Sequence, residues 1–442
     1  MTRWLPRSLW LIAWSFWAWL GWGLHRELPR DLGPKLCTIP LTVDEGPIGF
    51  TADGLAVTMT HSNGSPGDCL RRLRSWEART GRLIGEFGPF RLGQWFEPDR
   101  KYVSLVHSVV VSTPEPSSDM AASAIAWDLR TGERRTLQAG LSRVLDFHPT
   151  LPVVALAPKS HDKGSACVAF VDLRTGGTVG EWSMTAPDRA QVKVAAGFFI
   201  HDGGEFLIAV ESDGFEHHLM RCRLDGTTLP GSVALGSGYY SYDRPRGDHL
   251  IAVTKDDERS RLEVRNWRTG EQCCRIGVWD DYFVSERLDW VGPPAALGED
   301  GRAIFARGYG LVSLPGKELL RDTVKGFEVR HQGVQANAFW TEEHWGAYVG
   351  KFEMPRATTL ALRSMEDGRV LVRLVPGIEP SVLAEGGRLT ATYNGDIYNW
   401  PPILNHPLLA LCQSILALPL ILLWAVLRWR RNRRLRLACV QP

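Results

Sequence analysis

Short apolar runs rich in β-formers recur along the middle of the chain, at Leu55–Met59, Tyr102–Val106, Val153–Leu156 and Phe206–Val210. Each follows a tight-turn signal, and runs of this length bounded by turn residues predict short, buried strands. Two longer apolar runs flank this region. Residues 8–24 (SLWLIAWSFWAWLGWGL) contain no charge, and residues 407–427 (PLLALCQSILALPLILLWAVL) have only Gln413 and Ser414 as polar side chains.

The strand signals are organised by two landmarks. The first is an aromatic residue followed by a turn: Phe50-Thr51-Ala52-Asp53-Gly54, Phe96-Glu97-Pro98-Asp99, Phe147-His148-Pro149 and Phe199-Ile200-His201-Asp202-Gly203. Weaker copies stand at Tyr242-Asp243-Arg244-Pro245, Glu299-Asp300-Gly301 and Glu385-Gly386-Gly387. Asp-Gly suits a two-residue hairpin loop, and proline pre-sets φ where the glycine is missing.

The second landmark is Arg-Thr-Gly, which occurs at Arg79, Arg130, Arg174 and Arg268 with spacings of 51, 44 and 94 residues. The widest gap is two steps of about 47, and a worn copy, Arg223-Leu224-Asp225-Gly226, fills it. Further worn copies are Ser313-Leu314-Pro315-Gly316 and Ser364-Met365-Glu366-Asp367-Gly368. A period in the mid-forties, one supersecondary unit per repeat, predicts a propeller array.

Together the landmarks, in the loose form aromatic-x-x-Asp-Gly followed by Trp-Asp-x-x-Thr-Gly, resemble WD40-type repeats over about residues 50–400. The resemblance implies an all-β propeller that binds proteins. The chain departs from the family in having no Gly-His dipeptide in this region. The buried His, Ser/Thr, Trp and Asp network of regular WD40 blades must therefore be absent or built differently.

Seven closing turns give seven blades, and an eighth, shorter unit runs from Ala384 to Trp400 without a last strand. The segment Leu36–Val43 is positioned to supply it. The expectation is a seven- or eight-bladed propeller over 38–400, eight favoured, in which the clasp removes free sheet edges and brings residues 38 and 400 together.

Residues 8–24 reach about 25 Å as a helix, the short end of a membrane span. Arg3 and Arg7 within the short 1–7 terminus precede it. The run is longer than a leader's apolar core and no small-x-small site follows, so an uncleaved anchor is expected, with a cleaved leader as the alternative. Residues 407–427 are long enough to span, and Arg428, Arg430, Arg431, Arg433, Arg434 and Arg436 of the 428–442 tail place that end in the cytoplasm. Two spans then put both termini in the cytoplasm and the 38–400 body outside it. The same six arginines are candidates for an anionic-lipid contact, beside their role in setting topology.

Charge adds one exclusion. The formal net charge is +2, but residues 1–37 hold +3 and the tail holds six arginines, leaving about −7 on 38–427. A basic nucleic-acid face on the body is not expected. The eight cysteines include no Cys-x-x-Cys, Cys273 and Cys274 should point to opposite faces of a strand, and Cys37 and Cys69 are a candidate disulfide near the clasp. His217-His218 beside Glu216, Asp256-Asp257-Glu258 and Asp280-Asp281 lack ligand spacing, Asn63-Gly64-Ser65 is a glycosylation sequon, and residues 113–119 read as a loop insertion. No catalytic, cofactor-binding or metal-binding residue is assigned. The expected function is a non-enzymatic, membrane-tethered scaffold for unknown protein partners. The alternative is an exported enzyme or small-ligand sensor with a site in the central channel.

Overall fold

The computed structural model describes most of residues 30–404, together with Ser15 and the seven residues 424–430. The longest stretches outside the described residues between 30 and 404 are 92–102, 281–294, 322–337 and 346–356. Among the described residues there are eight antiparallel sheets of three or four strands and one two-stranded ribbon.

The first sheet is Glu45–Phe50, Leu55–Thr60, Leu70–Glu77 and Leu83–Arg91, and the second is Val103–Ser104, Val109–Ser112, Ile125–Asp128 and Arg134–Thr136. The third is Arg143–Phe147, Val153–Ala157, Ser165–Asp172 and Thr178–Thr185, and the fourth is Val192–Ile200, Glu205–Ser212, Glu216–Cys222 and Thr228–Ser237. The fifth is Tyr239–Tyr242, His249–Asp256, Arg259–Asn266 and Gln272–Asp280; the sixth is Ala295–Leu297, Ala303–Ala306, Gly310–Ser313 and Leu319–Arg321. Ala338–Trp345, Ala357–Ser364 and Val370–Arg373 form the seventh.

The eighth sheet joins the two ends of the chain. Pro380–Leu383, Leu389–Thr392 and Asp396–Asn399 are completed by Lys35–Thr38, with Cys37 opposite Ile397 and Thr38 opposite Asp396. Beyond this pairing Arg30–Asp31 runs antiparallel to Ile403–Leu404. The clasp strand is shorter than Leu36–Val43 because Ile39 turns inward, donating from its amide to the Gly395 carbonyl at 2.9 Å.

Burial explains the sequence pattern. Val153–Ala157 is buried at every position, whereas Thr178–Thr185 at the outer edge is mostly exposed. A strand covered on both faces reads as a continuous apolar run rather than an alternation. The cover comes from the neighbouring sheets. Phe170, Trp182, Phe199 and Phe206 fill the space between the third and fourth sheets. Val111, Ala126, Leu156 and Val171 fill that between the second and third, and Ile200, Leu207, Leu250 and Trp267 that between the fourth and fifth. Met59, Leu73, Val110 and Leu129 join the first sheet to the second, and Ile39, Phe50, Trp76 and Ile397 join the eighth to the first. Successive up-and-down sheets, the first five packed each on the next, the eighth packed on the first and completed by Lys35–Thr38, make a WD40-like β-propeller.

In the second sheet the first strand turns into the second at Leu105–Ser108, between Val103–Ser104 and Val109–Ser112, while Phe96-Glu97-Pro98-Asp99 lies outside the described residues. Ser108 takes the positive φ of 54° that glycine takes elsewhere. No helix among the described residues is long and apolar enough to cross a membrane. Residues 8–24 and 407–427 lie outside the described residues, apart from Ser15 and Trp424–Leu427.

Candidate functional site

Every sheet alternates its turns between two ends, so loops from first to second strand and from third to fourth share one end. All four Arg-Thr-Gly turns close this end, and they share most of their construction. In three of them the residue two before the arginine accepts from the next amides: Asp128 Oδ1 from Arg130 N and Thr131 N, both at 2.8 Å, and Asp172 Oδ1 from Arg174 N and Thr175 N at 2.7 and 2.8 Å, whereas Glu77 of the first copy accepts from the Thr80 hydroxyl at 2.6 Å. Asn266 Oδ1 does the same for Arg268 and Thr269. The threonine hydroxyl then accepts from the amide two residues on, at 3.2–3.3 Å in all four copies. The glycine closes the loop with φ between 71° and 76°, which residues with a Cβ adopt at a cost.

Backbone chemistry thus consumes the aspartate and threonine and leaves the arginine side chain to reach outward. Arg130 Nε donates to Asp53 Oδ2 at 2.8 Å in the first turn of the preceding sheet, where Ser108 Oγ also donates to Asp53 at 2.8 Å. Burial raises the Asp53 carboxyl, but the donors Thr51, Ser108 and Arg130 outweigh it and hold its pKa below the ordinary value. Arg268 Nε donates to Asp248 at 2.6 Å, contacts His201 Nε2 at 2.9 Å in the preceding sheet, and lies 4.3 Å over the Trp267 ring. These arginines tie one blade to the next.

The third, fourth and fifth sheets meet at Asp146. This buried carboxylate accepts from Phe147 N and Phe199 N, both at 2.9 Å, and from Arg244 of the fifth sheet. Burial pushes its pKa up against those donors. His148, two residues on, is also buried. Its Nδ1 accepts from Thr150 N at 3.1 Å and Leu151 N at 2.9 Å, so the ring is the neutral Nε2–H tautomer, and it is bonded to the Gly203 backbone. Desolvation holds its pKa below the ordinary value. Beside it an open cleft of about 550 Å³ is lined by Thr150, Leu151, Asp202, Gly203, Arg223 and Asp225.

The WD40 network is built differently here. Trp76 Nε1 donates to Thr58 Oγ1 at 2.8 Å, Thr58 donates to Glu45, and Arg74 Nη1 donates to Glu45 at 2.8 Å. A buried glutamate on the first strand anchors this chain of bonds. In the second sheet Trp127 Nε1 donates to Ser112 Oγ at 3.2 Å. Sequence reading missed this set because Glu45 is not part of either landmark.

The other singled-out residues are dispersed. His217 is buried with Tyr242 Oη at 2.8 Å from Nδ1, while its neighbour His218 is half-exposed on the opposite face of the strand. Cys274 is buried and Cys273 half-exposed, and Cys37 Sγ donates to Ala78 O at 3.3 Å. Cys69, Asn63, residues 113–119 and Asp257-Glu258 lie outside the described residues. Among the described residues no group of three or more His, Cys, Asp or Glu side chains is placed to hold a metal ion.

No protein-family model and no curated protein matches the chain. Solved structures similar in shape include a Dos1 propeller, at 9% identity and a TM-score of 0.40, covering 84% of this chain and 94% of that one. Another is the Sqt1 protein of Chaetomium thermophilum bound to the N-terminus of a ribosomal protein, at 11% identity and a TM-score of 0.43, covering 84% and 99%. Hydrazine synthase of Kuenenia stuttgartiensis is similar at 11% identity and a TM-score of 0.39, covering 81% and 96%.

Proposed function

We propose that the chain is an eight-bladed propeller held at a membrane by residues 8–24 and 407–427, with the ring outside the cytoplasm and serving as a non-enzymatic protein-binding scaffold. The observation that carries the tether is the pairing of Arg30–Asp31 with Ile403–Leu404. It sets the exits toward both apolar segments side by side and in opposite directions, as one span leaving a membrane and one returning to it require. The described end of the second segment, Trp424–Arg430, is helical, with the Arg428 guanidinium 4.9 Å from the Trp424 ring centre.

The scaffold reading is supported by how the charges are used. Asp53, Asp146, His148 and Arg268 spend their polar atoms within their own blades and on neighbouring ones, which stiffens a surface and withdraws them from proton transfer. The alternative of a small-ligand sensor rests on the cleft beside His148. A reporter fused after Pro442 should be active in the cytoplasm only; activity outside overturns the topology. In a thermal-shift screen of the detergent-solubilised full chain against metals, sugars and quinones, no class should shift the melting temperature. A large shift from one class overturns the scaffold in favour of the sensor.

A further inference from the structure

The clasp determines which end of the ring its flanks leave from. In the first six sheets the third and fourth strands are joined at the turn-bearing end. In the eighth, the third strand, Asp396–Asn399, and the fourth, Lys35–Thr38, are not joined there, and the ribbon of Arg30–Asp31 with Ile403–Leu404 extends from that open position. Both flanks therefore depart where the other blades carry Arg-Thr-Gly or its worn copies.

The connections to the apolar segments are short. Two residues separate Leu404 from Pro407 and five separate Leu24 from Arg30, which reach at most about 10 Å and 20 Å. The second strands of the first and fourth sheets, Leu55–Thr60 and Glu205–Ser212, span about 20–26 Å from one end to the other. A connection of about 10 Å cannot bring the opposite end to a membrane that begins at Pro407.

The surface of the turn-bearing end has the matching chemistry. Among the described residues of the ring, the exposed large apolar side chains are Leu83, Val106, Leu151, Val179, Leu371 and Val43. Leu83, Val106, Leu151 and Val179 lie in or directly after the turns of this end, each 39–49% exposed. Exposed arginines of the same turns, Arg79, Arg174 and Arg223, stand among them, beside the exposed carboxylates of Asp53, Asp202 and Asp225. Apolar side chains that enter the headgroup layer, interleaved with cations that meet its phosphates, are what an interfacial surface presents.

We propose that the turn-bearing end of the ring is a membrane-docking surface that rests on the lipid headgroups, so that the opposite end is presented away from the bilayer. The proposal rests on the tether described above, and its test separates the two. The full-length chain, with p-benzoylphenylalanine replacing Leu151, Val179 or Val43, is reconstituted in nanodiscs of phosphatidylethanolamine and phosphatidylglycerol. After irradiation, lipid adducts are read by mass spectrometry, and a carbonate wash of membranes holding the same chain reports integration. The expected result is integrated protein with lipid adducts at positions 151 and 179 and at least fivefold fewer at 43. Integrated protein with equal adducts at all three positions, with adducts at 43 alone, or with none overturns the docking surface and leaves the tether standing. Release by carbonate overturns both. Should one variant fail to fold, Leu83 and Val106 provide independent positions on the same end.

Discussion

Arg244 donates to the buried carboxylate of Asp146, reaching past the fourth sheet to tie the fifth to the third. Asp146 is almost fully buried while Arg244 is half-exposed, so removing the cation strands the anion. Arg244→Met should destabilise the ring by about 3 kcal/mol, the low end for breaking a buried pair because water reaches the arginine side. Arg244→Met combined with Asp146→Asn should recover part of that loss, since the amide oxygen still accepts from a backbone donor. Urea unfolding of the two variants checks both statements.

Gly132 and Gly226 close equivalent loops with φ of 75° and 86° but in different surroundings. A Cβ at Gly132 meets nothing within 4 Å, whereas one at Gly226 collides with the backbone of Glu181 in the preceding sheet. Gly132→Ala should cost about 1–2 kcal/mol, the penalty of the left-handed backbone alone. Gly226→Ala should cost about 1–3 kcal/mol more, because the fourth sheet must move off the third. Thermal melts of both variants would separate backbone strain from blade packing.

His148 uses its Nδ1 as Asp128 uses its carboxylate, accepting from the amides two and three residues on. Its pKa in the fold is held below the ordinary value of about 6.5, chiefly by burial. The unfolded chain therefore takes up the proton first. Stability from this group is complete above about pH 6.5 and is lost as pH falls toward the folded value. His148→Asn keeps an acceptor and does not titrate. Between pH 7.5 and 5.5 the melting temperature of the parent chain should fall further than that of the variant, and equal falls would assign the sensitivity elsewhere.

Thr38 and Asp396 are cross-strand partners, with the hydroxyl donating to the carboxylate at 2.7 Å. Thr38→Cys with Asp396→Cys should form a disulfide across the clasp, since directly paired residues of an antiparallel ladder lie within bridging distance. The bond should stabilise the ring by about 2–4 kcal/mol. Peptide mapping under non-reducing conditions would identify the linked pair, and melts with and without reductant would measure the gain.

What the sequence makes legible here is what is local. Asp128, Arg130, Thr131 and Gly132 satisfy one another's backbone within five residues, so their spacing alone announces the turn. Val153–Leu156 is read correctly as a buried strand because burial on both faces requires an unbroken apolar run. The second sheet's turn escapes notice because Ser108, and not glycine, takes the positive φ, while Pro98 and Asp99 advertise a turn upstream. Glu45 and Arg244 escape for another reason. Their partners are Thr58 and Arg74 in one case and Asp146 in the other, residues brought near only by sheet pairing and ring curvature, which leave no periodic mark.

The clasp also sets an order of events. Lys35–Thr38 is synthesised before the rest of the ring, but its partner Asp396–Asn399 follows nearly all of it. Early blades can form as the chain emerges, since their contacts are local. The ring itself cannot close until nearly the whole chain has been delivered to one compartment, and the entropy of that longest loop is paid at the final step. A truncated chain lacking the last forty residues of the ring would keep most of its blades and still leave the strand at its beginning without a partner.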